Sequence, residues 1–331
     1  MLFRSPDTMS AIEVQDEWLA STERPVPTPR SGQALIKVMA AGVNQPDVMQ
    51  RKGLYSPPSG ASDIPGLEIA GVVVALGDNS SNLTIGDKVC ALVTGGGYAE
   101  YCLASASLCL LIPETLSFVE AAGIPETYFT VWSNVFDVGQ LKKGETLFVQ
   151  GGSSGIGTTA IQLAKAFGSK IIVTAGTEAK CQFCLDLGAD AAINYHEQEF
   201  VSEVANITDY KGVNIILDMV GGDYFPRNLQ CLAIEGRLVQ IAVQKSPKSD
   251  INLLPIMLKR LTITGSTLRA RDVGFKAEIA KKLLHNVWPL FASGRIKPII
   301  HSTFALSDAT KAHELMETSE HIGKIILTVS A

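Results

Sequence analysis

The 331-residue sequence predicts an α/β protein of two parts, a doubly wound parallel sheet and a smaller β-rich domain, and three observations carry that expectation. Up to about residue 125, short β-branched runs alternate with Pro and Gly. From about 126 to 265, strand-like and helix-like segments alternate. Where the first strand of that second region meets its first helix, "GGSSGIG" (151–157) sets four glycines in seven positions.

The elements follow in chain order. "PVPTPRSGQALIKVMAAGVN", "PGLEIAGVVVALG" and "IGDKVCALVTGGGYAEYCLA" have the texture of a turn-rich β domain. The next strands, "TLFVQ", "KIIVT", "AAINY", "VNIILD", "RLVQI" and "LTIT", are apolar runs of the kind buried on both faces. Helical crossovers between them imply parallel pairing. A long helical pattern, "GFKAEIAKKLLHNVWPLFASG", then a second, "SDATKAHELME", and a closing strand, "GKIILTV", complete the chain. There is no internal repeat and no low-complexity segment.

Composition bounds the function. With 46% hydrophobic and 18% charged residues the chain can bury two cores of ordinary size. A net charge of -5, without a basic block, argues against nucleic acid or an anionic membrane as a partner. "MLFRSPDTMSAIEV" lacks a continuous apolar core, and no stretch reaches the ~18 apolar residues of a spanning helix, so a cytoplasmic protein is expected. The six cysteines, 90, 102, 109, 181, 184 and 231, show no disulfide-framework spacing and read as buried thiols. Cys181 and Cys184 form a CxxC inside the helical "TEAKCQFCLDLG". They offer two of the four ligands zinc takes, so core packing is the expectation.

The glycine loop carries the chemistry. Gly152, Gly155 and Gly157 are spaced GxxGxG, which allows a tight turn and brings backbone N–H groups to a pyrophosphate at a helix N-terminus. Ile156, Ala160, Leu163, Ala164 and Phe167 give the helix an apolar face for the sheet. A mobile loop is the bland alternative, and the six flanking strands favour dinucleotide binding through Gly152, Ser153, Ser154, Gly155, Ile156 and Gly157. NAD-binding versions end the second strand in Asp or Glu, which accepts from the ribose 2′-hydroxyl. Here the strand continues "VTAGTEAK". Ala175, Gly176 and Thr177 leave room for a 2′-phosphate, and Lys180 supplies a positive charge, so NADPH is the expected cofactor.

Short-chain dehydrogenases share such a loop but pair a Tyr with a Lys four residues on, and none of the seven tyrosines here has that lysine. A loop some 150 residues in, behind a β domain and centred on "GETLFVQGGSSGIGTTAIQLAK", resembles the medium-chain dehydrogenase/reductase superfamily. "AAGVNQPDVMQRKGLYSPPSGASDIPGLEIAG" is similar to the opening of the zeta-crystallin-type quinone oxidoreductases, nearest the tumour-suppressor-inducible quinone reductase subgroup. "AAGIPETYFTVWSNV", "LGADAAINY", "NIILDMVGG" and "HIGKIIL" extend the similarity along nearly the whole chain, and the first twenty or so residues are least alike. The resemblance implies a GroES-like catalytic domain, residues 1–125 completed by about 290–331. It also implies a Rossmann NADPH-binding domain over 126–289 and an active site in the cleft between the two. An apolar edge strand in "LKRLTITGSTL", together with the resemblance, implies a homodimer.

The resemblance also bears on metal. Zinc alcohol dehydrogenases carry Cys where this chain has Asn44, and a His before Glu where it reads Gly66, Leu67, Glu68. Nor does the interval between "GDKV" and "LIPE" hold four close cysteines, and the histidines at 196, 285, 301, 313 and 321 form no ligand pair. No metal is expected. A quinone is already electron-poor and needs no Lewis acid, so the implied reaction is NADPH-dependent quinone reduction by hydride transfer from nicotinamide C4. An enoyl or alkenal double-bond reductase, with Tyr55 as proton donor, is the alternative. An NADPH-binding protein with little turnover is another.

Residue by residue, Asn44 reads as an Asx turn before Pro46 or, by resemblance, as a cleft asparagine, and Asp47 as a helix-start residue or salt-bridge partner. Tyr55, in "GLYSPPSG", is an ordinary loop tyrosine or, by resemblance, a substrate-facing ring or donor. Thr130, in "YFTVW", is helix packing or a contact to the nicotinamide ribose. By resemblance Tyr195 sits at the 2′-phosphate, and Val220, Ile241, Leu268 and Lys324 contribute backbone contacts and closure of the cleft.

Overall fold

In the computed structural model, which describes residues 6–80 and 83–329, the chain opens with an antiparallel hairpin of β1 (Thr8–Gln15) and β2 (Trp18–Pro25). There follow β3 (Gln33–Val43), α1 (Gln45–Arg51), β4 (Glu68–Leu76), β5 (Lys88–Leu92), β6 (Tyr101–Ser105), β7 (Cys109–Leu111) and α2 (Phe118–Ala121). Next, α3 (Pro125–Val131) continues into a π-helical stretch, Trp132–Val138, where the Gly139 N–H reaches back to Asn134 O at 2.9 Å. The alternating region runs β8 (Thr146–Val149), α4 (Gly155–Ala166), β9 (Lys170–Ala175), α5 (Glu178–Asp186), β10 (Ala191–Asn194), α6 (Phe200–Ile207), β11 (Val213–Asp218), α7 (Tyr224–Cys231), β12 (Leu232–Gln240), α8 (Leu254–Lys259) and β13 (Thr262–Gly265). The chain closes with α9 (Val273–Asn286), α10 (Trp288–Ala292), β14 (Ile300–Ala305), α11 (Ala309–Thr318) and β15 (Lys324–Thr328).

Two compact units result, Met1–Phe129 with Arg269–Ala331, and Thr130–Leu268. The first holds a seven-stranded sheet in the order β14-β15-β3-β4-β5-β7, with β6 also on β3. Strand β3 is central because nearly every residue along it is apolar and buried, from Ala34, Leu35 and Ile36 to Ala41 and Val43. They pack with Ile69, Val73, Val89, Ile325 and Leu327. The single helical pattern expected over 274–294 is two helices, interrupted at Val287, because Pro289 lacks the N–H that a continuous helix would use. Helix α9 buries Ile279, Ala280 and Leu283 and ties Lys276 Nζ to Arg269 O at 2.8 Å. The units divide at Leu268/Arg269.

The second unit is a six-stranded parallel sheet in the order β10-β9-β8-β11-β12-β13. Phe148, Ile172, Ile193, Ile216 and Leu238 fill its core. Strand order reverses between β8 and β11, so a crevice lies at the carboxyl ends of those two strands, the place where doubly wound sheets receive ligands. This is the Rossmann architecture. On α5, Cys181 and Cys184 are free, buried thiols, and burial pushes the Cys184 thiol up to about 12. No helix among the described residues is long and apolar enough to cross a membrane.

Candidate functional site

In the second unit the expected cofactor residues fall just past the carboxyl ends of successive strands. After β8 the backbone turns through Gly151 at φ +83°, a conformation that favours glycine. A Cβ on Gly152 would lie 2.5 Å from the Val173 side chain, and one on Gly157 would lie 2.3 Å from Gly151 O. Glycine at 152 therefore lets the loop pack against the Val173 side chain of β9, and glycine at 157 lets α4 meet the loop backbone. Ser154 caps α4, its Oγ accepting the Gly157 N–H at 3.0 Å and donating to Gly151 O at 2.8 Å. Gly155 and Ile156 open the helix, Ser153 is buried beside them, and the N-terminal half of the helix dipole faces this loop.

After β9, Thr177 caps α5, its Oγ1 accepting the Lys180 N–H at 3.3 Å. Tyr195, just past β10, donates its N–H to Ala175 O at 3.1 Å. Its hydroxyl lies 2.7 Å from where a Cβ on Gly176 would be. Gly176, Thr177, Lys180 and Tyr195 thus gather at one corner, and a larger residue at 176 would meet the tyrosine. After β11, the Val220 N–H bonds Asp218 Oδ1 at 2.7 Å, and after β12 the Ile241 N–H bonds Asp218 O at 2.8 Å. Asn134 Nδ2 donates to Thr130 O at 2.8 Å and its Oδ1 accepts from the Ser266 hydroxyl at 2.6 Å, which ties the Thr130 turn to the segment after β13 that leads to Leu268.

In the first unit, Asn44 and Lys324 come together although 280 residues apart. Asn44 stands at the N-cap of α1, and its N–H bonds Asp47 Oδ2 at 2.8 Å, so Asp47 is a helix-start residue as expected. Asn44 Nδ2 donates to Glu68 Oε1 at 2.9 Å, and its Oδ1 accepts from Lys324 Nζ at 2.5 Å. Lys324 also pairs with Glu68 Oε1 at 2.7 Å and donates to Val43 O at 3.2 Å. Glu68 Oε2 accepts the Glu126 N–H at 2.8 Å. Gly42 makes room, since a Cβ there would lie 2.1 Å from Glu68 Oε1. Behind this cluster Asp47 Oδ1 accepts the Gly66 N–H at 3.0 Å, and the Tyr98 hydroxyl lies between Asp47 and His313.

Burial sets the protonation of these groups. It pushes the Asp47 carboxyl up to about 6, against the pull of the Asn44 and Gly66 N–H groups. Burial, reinforced by the Glu68 carboxylate, pushes Glu126 up to about 8. His313 is driven down to about 3 by burial and by Arg51, so it is neutral. Tyr55 makes no hydrogen bond to Asn44. The Arg269 guanidinium instead lies 5.3 Å from its ring centroid, and burial raises the Tyr55 hydroxyl despite that charge. Arg269 is fixed by Thr94 O at 3.0 Å and Gln50 Oε1 at 2.8 Å. Sequence reasoning passed over Glu68, Glu126 and Arg269 as site residues. A charge inside the apolar "AAGIPETYFTVW" was the available signal for Glu126. Among the described residues no three His, Cys, Asp or Glu side chains are grouped to hold a metal ion, and Leu67 is an apolar core residue.

Residues 155–285 match the Zinc-binding dehydrogenase family, and residues 30–114 match the Alcohol dehydrogenase GroES-like domain. The chain is 34% identical to the quinone oxidoreductase of Homo sapiens and 33% identical to that of Rattus norvegicus. Each match covers 304 residues, 91% of this chain and 91% of the relative. Among solved structures, the mycobacterial protein Rv1454c complexed with NADPH matches with a TM-score of 0.86 at 28% identity, over 97% of this chain and 99% of its own.

Proposed function

This chain belongs to the medium-chain dehydrogenase/reductase superfamily, without the zinc ligands of its metal-dependent members, and we propose that it is an NADPH-dependent quinone reductase. Within the superfamily we place it among the zeta-crystallin-type quinone oxidoreductases, on the segments quoted above. The residues past the strand ends fit the cofactor. Glycine at 152 and 157 is what lets the loop lie close against Val173 of β9 and the first turn of α4 close against the loop, and no carboxylate stands at Ala175 to oppose a 2′-phosphate.

When bound, NADPH supplies a hydride from nicotinamide C4, and a quinone that takes this hydride and one proton becomes the hydroquinone. The glycine loop and the first turn of α4 hold the pyrophosphate; Gly176, Thr177, Lys180 and Tyr195 receive the 2′-phosphate. Glu126, its carboxyl raised to about 8, keeps a proton at neutral pH, and Tyr55 keeps its own. The observation that carries the choice of substrate is the engagement of Asn44. Its amide is committed to Glu68 and Lys324, and Leu67, next to Glu68 in the chain, is apolar, so an acceptor that needs no polarising group fits best. A second reading, reduction of an enoyl or alkenal double bond, is favoured by Tyr55 alone, a protonated hydroxyl beside Arg269. We take the enzyme to be a cytoplasmic homodimer paired through β13, which ends its sheet beside the exposed Leu254, Met257 and Leu258 of α8.

The test is a panel of acceptors. NADPH oxidation should be fast with ortho- or para-quinones, slow with alkenals and enoyl thioesters, and unchanged by chelators. Faster turnover of the enoyl thioesters, or activity that appears only on adding zinc, would overturn the reading.

A further inference from the structure

Gln150 is fully buried just past the end of β8, directly before the glycine loop. A polar group in such a place is costly unless every bond it needs is made. Its partners form a chain with one sense. The Gly151 N–H donates to Thr174 Oγ1 at 3.1 Å, and that hydroxyl donates to Gln150 Oε1 at 2.8 Å. Gln150 Nε2 donates to Asn228 Oδ1 at 2.8 Å. Asn228, on α7 and itself fully buried, is left with its Nδ2 without a hydrogen bond, and burial raises the Asp218 carboxyl against the pull of the Val220 and Gly221 N–H groups. Asp218 Oδ1 then takes the N–H groups of Val220 at 2.7 Å and Gly221 at 3.4 Å. A bonded run thus leads from the glycine loop through Thr174 and Gln150 to Asn228 on α7, while Asp218 separately holds the turn after β11.

We infer that Thr174, Gln150 and Asn228 are positioning residues that lock the glycine loop into one fixed arrangement for receiving the cofactor's pyrophosphate. The proposal rests on NADPH occupying this cradle. A glycine-rich loop has many conformations open to it, and a ligand that must first order it binds more weakly. Thr174 removes that freedom twice, through Oγ1 to the Gly151 N–H and through its carbonyl, which takes the Gly152 N–H at 2.7 Å. Only the first bond depends on the side chain.

Thr174→Val removes the hydroxyl and keeps the β-branched shape that the strand needs. NADPH binding, followed by fluorescence titration, should weaken about tenfold, the scale of one lost buried hydrogen bond. Adenosine 2′-monophosphate carries the 2′-phosphate without the pyrophosphate, and its affinity should stay within about twofold of wild type. Thr174→Ser, which restores the hydroxyl, should return NADPH binding to within about twofold of wild type. Should Thr174→Val not fold, Asn228→Ser, at the far end of the chain, carries the same pair of expectations. Unchanged NADPH affinity, or equal weakening of NADPH and adenosine 2′-monophosphate, would overturn the proposal. A wild-type protein that binds neither ligand would instead sink the cofactor reading on which it stands.

Discussion

Glu126→Gln should make the protein more stable at alkaline pH, and the gain can be worked from the cluster around Glu68. The carboxyl of Glu126 is raised from 4.5 to about 8, chiefly by burial and then by the Glu68 carboxylate, with Lys324 pulling the other way. A folded-state value above the unfolded one means that folding favours the protonated acid. The stability this contributes is whole below about pH 4.5 and is lost as the pH climbs through 8, at up to about 1.4 kcal/mol per pH unit. The whole shift would correspond to about 5 kcal/mol, and because the side chain keeps part of its surface open, about 2 to 4 kcal/mol is the expected span. Glutamine has the shape of the protonated acid and cannot ionise. Urea unfolding of wild type and variant at pH 5, 7 and 9 should therefore give closely similar midpoints at pH 5 and a clear separation in the variant's favour at pH 9. Asp47, raised to about 6, is common to both proteins and drops out of the difference. Two curves that stay parallel from pH 5 to 9 would refute the claim that Glu126 folds with its proton on.

Three other outcomes are expected. Lys180→Ala should weaken NADPH binding by about 1.5 to 3 kcal/mol, the scale of a hydrogen bond to a charged group, and leave NADH binding nearly unchanged when both are titrated at one ionic strength. Gly152→Ala places a methyl 2.5 Å from the β-branched Val173. It should cost about 1 to 3 kcal/mol of stability, read by denaturant midpoint, and much of that should return in a Gly152→Ala/Val173→Ala double variant. Ile263→Lys puts a charge on the edge strand β13, and light scattering at micromolar concentration should fall from the mass of a dimer toward that of a monomer.

What the sequence makes legible, and what it hides, follows from how each element is stabilised. The inner parallel strands β8, β9 and β11 are buried on both faces and read as apolar runs, and the glycines at 152 and 157 mark where the loop packs tightly on β9 and α4. The β1–β2 hairpin has neither signal. Strand β2, "WLASTERP", is exposed or half-exposed along its length, and its turn is made by Asp16 and Glu17 at positive φ, where Asn-Gly would have announced it. The polar cluster of the first unit is hidden for another reason. Lys324, Asn44, Glu68 and Glu126 come from β15, the cap of α1, β4 and the start of α3, and no local pattern links them. Residue type alone would leave Lys324 on the surface and Asn44 in a turn. Each is buried because the other satisfies it: the lysine's charge is matched by Glu68 and its hydrogens by Asn44 Oδ1 and Val43 O. Removing one partner would therefore strand the others, which binds the strand that closes the sheet, β15, to the loop that carries Asn44. A site assembled in this way is read from three-dimensional satisfaction of charge, whereas the glycine loop, whose constraint is steric and local, is read from the chain itself.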